Sequence, residues 1–208
     1  MDKDFDSIKE DLTAQGYKLK SSEFDIAIIY ASMFLVLPIA ATAFILYLIQ
    51  SLKYPELSTF PSLWEYPIMM AILAFVHEGI HGICFAFFSK NGFRSLKFGL
   101  SKQSFYCPFC HCKTTVSMVG YMISALMPFV LLGIVPAIIS ISTINGTLNQ
   151  FALMGIIGGA ADVLFCCELL KQKKILPQKG QIHVYDYVDK MGFAVFYKEK
   201  DTENKSLY

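Results

Sequence analysis

The chain has 208 residues, of which 54% are hydrophobic and 17% charged, with a formal net charge of +1 and a mean hydropathy of +0.46. That length suits one domain, and that hydropathy is high for a soluble protein. With no clustered Lys or Arg beyond the flanks of apolar segments, a nucleic-acid-binding surface is excluded.

Residues 1–24 form a polar N-terminal segment. Phe5, Ile8 and Leu12 mark one apolar face of a short amphipathic helix, and Gly16 is its expected stop. Four apolar stretches follow, each long enough for the roughly 20 residues that a bilayer crossing needs. They run from about Ile26 to Leu52, Trp64 to Phe88, Val116 to Ile141 and Leu148 to Leu170. The first is no signal peptide: its apolar core is too long, a polar segment precedes it, and no small-residue cleavage site follows. Between spans two and three lies a loop with Cys107-Pro-Phe-Cys110-His111-Cys112. The tail after Pro177 alternates at Ile182, Val184, Phe193 and Val195 around Asp189-Lys190-Met191-Gly192, which predicts two short strands and a turn. The expected fold is therefore an all-α bundle of four transmembrane helices with a short tail that forms a β-hairpin. Its divisions are 1–24, the membrane domain 25–176 and the tail 177–208.

The second span carries His77-Glu78-Gly79-Ile80-His81, an H-E-x-x-H pattern. On a helix, positions i and i+4 share a face, so both imidazoles can hold one metal ion while Glu78 reaches a zinc-activated water as general base. Inserting Glu78 alone at the centre of a span costs about 3 kcal/mol. Ionisable groups at that depth are normally functional. Catalytic zinc takes three protein ligands and keeps one position open. Asp162 is the other acid deep in a span, and Gly155 and Gly159 lie on much the same face one to two turns before it, so span four can approach a neighbouring helix closely. Glu168, near the end of span four, and Cys84, three residues after His81, are the other candidates. With Zn2+ bound, Glu78 and Asp162 balance its charge. The Cys107–Cys112 cluster offers ligand types for a second, structural zinc, but its spacing is tight and no second ligand pair follows, so the expectation is an ordinary loop.

Taken together, the H-E-x-x-H, the Cys-containing loop, Ala125-Leu126-Met127-Pro128-Phe129 with Leu132-Gly133, Gly159-Ala160-Ala161-Asp162 and Val184-Tyr185 resemble the putative zincin peptidases, a family of bacterial membrane proteins. The resemblance covers roughly residues 65–187. More distantly it is similar to site-2 proteases, which pair H-E-x-x-H on one span with an Asp on a later one. It implies His77, His81 and Asp162 as zinc ligands, Glu78 as the base, and a membrane-embedded metalloprotease acting on membrane-associated peptide substrates. Asp162 stands in Ala-Asp-Val where site-2 proteases have Leu-Asp-Gly, and no counterpart of their oxyanion-binding Asn is evident. The alternatives are a non-catalytic zinc scaffold and a metal transporter. The latter would line several spans with polar groups, which spans one and three lack.

Lys3, Lys9, Lys18 and Lys20 precede span one, and Lys90, Arg94, Lys97, Lys102 and Lys113 separate spans two and three. Lys171, Lys173, Lys174 and Lys179 follow span four, while the remaining two loops hold Lys53 alone. The positive-inside rule then puts both termini and the Cys loop on the cytoplasmic side, where thiols stay reduced, and the resemblance implies that the membrane is the inner membrane of a bacterium. A cysteine introduced at Lys102 should react with an impermeant maleimide from the cytoplasmic side, and one at Leu57 from the outside; labelling with the opposite sidedness would invert this topology.

Overall fold

A backbone surrounded by hydrocarbon must satisfy its own hydrogen bonds, and the four apolar segments do so as helices. Those long and apolar enough to cross a membrane are Ile26–Lys53, Glu65–Phe88, Met118–Thr143 and Gly146–Ile175. The computed structural model describes residues 3–57, 61–101, 107–175, 181–187 and 190–198. Lys102, Pro177, Lys179 and Asp189, used in the sequence reading, lie outside the described residues. The outward faces carry Phe34, Leu63, Trp64 and Phe87, all largely exposed, a surface suited to lipid rather than water.

Span one consists of α2 (Ile26–Ala31) and α3 (Met33–Lys53), joined at Ser32. Span two is the single helix α4 (Glu65–Phe88). Span three is interrupted: α5 (Met118–Pro128) passes into a wide π-helical segment, Phe129–Ile134, before α6 (Val135–Thr143). Pro136 supplies a reason, because it lacks the amide that would close an α-helical bond to the Leu132 carbonyl. Span four divides into α7 (Gly146–Gly158) and α8 (Ala160–Ile175), with Gly159 between them. Asn145 caps α7 by accepting a 2.8 Å hydrogen bond from the Leu148 amide.

The interrupted parts of spans three and four pack on each other at backbone distance. A Cβ on Gly155 would run into the Leu132 carbonyl, and one on Gly159 would lie 2.9 Å from Cβ of Phe129. Ile156, fully buried, fills the space over Gly133, where a Cβ would come within 2.8 Å of it. Contact this close needs glycine, and it draws α7 onto the π segment.

The expectation of an all-α fold needs correction: short strands occur outside the tail. The N-terminal helix α1 (Lys3–Ala14) leads into β1 (Lys18–Glu23). The central loop forms an antiparallel hairpin of β2 (Leu96–Ser101) and β3 (Cys107–Cys112). A two-residue strand, β4 (Val116–Ser117), precedes α5. The tail contributes the predicted hairpin, β5 (Ile182–Asp186) with β6 (Gly192–Tyr197), and the larger sheet runs β1-β6-β5-β4. Lys18-Leu-Lys-Ser-Ser-Glu is too polar to announce a strand. It becomes one because β6 offers it an unpaired edge, with Leu19 opposite Phe196 and Ser21 opposite Ala194. Phe5, Ile8 and Leu12 of α1 then cover Tyr185, Tyr187 and Phe196 on one face of the sheet. On the other face Val184, Phe193 and Val195 join Phe85, Tyr121 and Leu169 of the helices in one core. The two ends of the chain thus build a single sheet-and-helix cap seated on the bundle.

Overpacking a tight backbone contact costs about 1–3 kcal/mol. Gly155→Ala should therefore lower the thermal unfolding midpoint in detergent by several degrees. Gly158→Ala, where an added Cβ meets nothing within 4 Å, should not lower it.

Candidate metal centre

His77 and His81 are one turn apart on α4, and their Nε2 atoms face each other at 3.0 Å. Asp162, in the first turn of α8, enters the same point: its Oδ2 is 3.2 Å from His77 Nε2 and its Oδ1 is 3.6 Å from His81 Nε2. The glycines before Asp162 explain its reach, since the break at Gly159 restarts the helix against Phe129 and turns the carboxylate toward α4. His81 is buried, and its Nδ1–H donates to the Ser124 carbonyl of α5 at 2.8 Å. That bond fixes the tautomer: the proton sits on Nδ1, and the Nε2 lone pair points at the other two donors.

Ligand atoms at about 2.0–2.2 Å from a tetrahedral zinc are roughly 3.3–3.6 Å from one another. The separations of 3.0, 3.2 and 3.6 Å lie within about 0.3 Å of that range, two of them slightly below it, and the donors are of the chemical type that zinc takes. Glu78 lies close as well: its carboxylate and the two imidazoles place donor atoms within 4.8 Å of one another. Its Oε2, however, accepts a 2.7 Å hydrogen bond from the Cys110 amide on β3. The carboxylate is thereby tethered beside the donor triangle. Cys84 does not join that donor group, and Glu168 turns outward to Lys171 at 3.4 Å.

A cavity of about 370 Å³ opens at these side chains. Its walls come from α4, α5, α8 and β3, and from the turn of the tail hairpin. Three contributors escape sequence reading. The Ser124 carbonyl and the Cys110 amide are backbone groups, which leave no mark in a sequence. Asp186 was legible as an acid inside the apolar run Val184-Tyr185-Asp186-Tyr187, yet nothing in that run connects it to spans two and four. It ends β5, lines the cavity, and accepts a 3.2 Å hydrogen bond from the Tyr121 hydroxyl. Burial pushes its carboxyl up to about 7, with the charges of Asp162 and Glu78 adding and the Tyr121 bond and His81 opposing.

The cysteine cluster is the inner strand of a hairpin. Cys110 and Cys112 are buried on β3, and His111 packs on Tyr185 with ring centroids 5.4 Å apart. The side chain of Cys107 lies outside the described ones. Burial, reinforced by the negative charge of Glu78, pushes the Cys110 thiol up to about 12.

The chain belongs to the family described as putative zincin peptidase, whose model matches residues 70–176. That stretch contains both histidines, Glu78, the β2–β3 hairpin and Asp162, and stops before the tail hairpin. No curated protein and no solved structure matched the chain.

A thiol raised from about 8.5 to about 12 loses some three orders of magnitude of its thiolate at neutral pH. In a variant retaining Cys110 alone, maleimide labelling at pH 7.5 should be at least about 100-fold slower in the folded protein than after denaturation in SDS. Equal rates would place Cys110 in solvent.

Proposed function

We propose that the protein is a membrane-embedded zinc metalloprotease of the site-2 type, with His77, His81 and Asp162 as zinc ligands and Glu78 as general base. The observation that carries this reading is the meeting of two imidazoles from α4, their Nε2 atoms 3.0 Å apart, with the Asp162 carboxylate from α8, which sets Oδ2 3.2 Å from His77 Nε2 and Oδ1 3.6 Å from His81 Nε2. Family membership and the four apolar helices support it. Both termini and the cap then lie in the cytoplasm, on the side to which the Lys and Arg residues assign them.

Zinc, when bound, acidifies a water molecule and polarises the carbonyl to be attacked. The protein's own groups do the rest. Ser124 holds His81 in the tautomer that leaves Nε2 unprotonated. The Cys110 amide aims Glu78 and keeps it outside the ligand triangle, so this carboxylate can take a proton from the attacking water. Glu78 then delivers that proton to the departing amine as the C–N bond breaks, which leaves one free amine and one free carboxylate and returns Glu78 to its ionised form. The cavity beside it has room for the few residues around a scissile bond.

Two variants separate the roles. Glu78→Gln should keep close to one zinc per chain by mass spectrometry, while hydrolysis of labelled single-span substrates falls at least about 100-fold. Asp162→Ala should lose most of its zinc with the helices still folded. Full zinc content in the Asp162 variant would remove it from the ligand set, and full activity in the Glu78 variant would remove the general base.

A further inference from the structure

The cavity contains one acid that the proposed chemistry does not use. Asp186 comes from β5 of the tail, beyond the family match, and lines the same cavity as Glu78 and Asp162. Its side chain is held through Tyr121. The Tyr121 hydroxyl donates to it from α5. Tyr121 is itself wedged between Phe85 of α4 and Phe193 of β6, at ring-centroid distances of 6.0 and 5.8 Å. Ser124, whose carbonyl orients His81, is three residues further along α5, so one face of that helix positions both the imidazole and Asp186. Tyr121, which holds Asp186, thus stands about one helical turn along α5 from the carbonyl that orients His81.

Among the described residues no Lys or Arg pairs with Asp186. The cation at the cavity rim, Lys190, is turned away: its ammonium bonds Glu23 of β1 and lies 4.2 Å from the centre of the Tyr187 ring. Within the cavity, one divalent ion would match the charges of Glu78 and Asp162, and Asp186 is a third carboxyl, whose ionised form burial disfavours until a cation reaches it. An acid kept in an apolar recess at the cost of desolvation, with a hydroxyl as its partner, is poised for a positively charged guest.

We infer that Asp186 is a specificity-determining residue, the carboxylate that receives a lysine or arginine side chain of the peptide bound in the cavity. The inference rests on the peptidase reading for the identity of the guest. A basic side chain reaching Asp186 would restore charge balance in the cavity and register the peptide along the face of α5, next to Glu78. The tail hairpin then acts as part of the site rather than as an appendage.

The test uses binding, so that it does not depend on turnover. Full-length Glu78→Gln protein in detergent, loaded with zinc, is titrated with two fluorescein-labelled peptides. They are identical except that a central Lys-Lys pair is replaced by Gln-Gln. Fluorescence anisotropy should give at least about 10-fold tighter binding of the Lys peptide, and Asp186→Asn in the same background should reduce that ratio to about one. Asp186→Glu should restore part of it. Zinc content and elution volume of each variant are measured in parallel. Equal affinity for the two peptides before Asp186 is altered would overturn the inference whatever the variants do, and so would a Lys preference that survives Asp186→Asn. Hydrolysis by the unaltered protein reports separately: a lysine preference that depends on Asp186 without cleavage would uphold this binding site and reject the protease.

Discussion

Everything near the centre of this protein answers to the cost of keeping two imidazoles and two carboxylates together among apolar helices. Such groups persist at depth only if each has a partner of the right kind. His81 has the Ser124 carbonyl, Glu78 has the Cys110 amide, and Asp162 has both imidazoles. Those partners come from α5, β3 and α4, and Asp162 itself from α8, so satisfying these side chains obliges four elements to meet at one place. The β2–β3 hairpin is a clear case. Its inner strand presents the Cys110 amide to the Glu78 carboxylate, which the two imidazoles also face.

The same requirement explains the broken geometry of spans three and four. Asp162 must reach α4 across the width of a helix, which needs span four to lie closer than ordinary side chains permit. Gly155 and Gly159 remove the obstacle on one side, and the π segment around Leu132 and Gly133 provides the matching surface on the other. The interruption at Gly159 forfeits some helical continuity and gains control over where the next turn begins, and Asp162 stands in that turn. Helix irregularity is thus concentrated in the segments that pack together just ahead of Asp162.

The cap extends the logic outward. β1 and the tail strands pair although roughly 170 residues separate them, and α1 seals the outer face of the sheet. This closure brings the β5–β6 turn over the cavity, so access to the centre is shaped by both ends of the chain. A site that looks complete within the spans is walled in part by residues that no membrane-span argument would include.

The sequence by itself determined the four helices, because runs of more than twenty apolar residues have few other stable conformations in lipid. It determined that His77 and His81 share a face with Glu78 beside them, since helical periodicity is local. It pointed to Asp162 as an acid that spans do not keep without a purpose, and its period-2 alternation announced the tail hairpin. Only the tertiary structure decided that Asp162 stands within 3.2 Å of His77, that β1 pairs with β6, that the Cys loop is a strand holding Glu78, and that Asp186 faces the cavity. The physical reason is range. Periodicity and hydropathy act over one or two turns, whereas a carbonyl meeting an imidazole 43 residues away depends on how whole helices settle against one another.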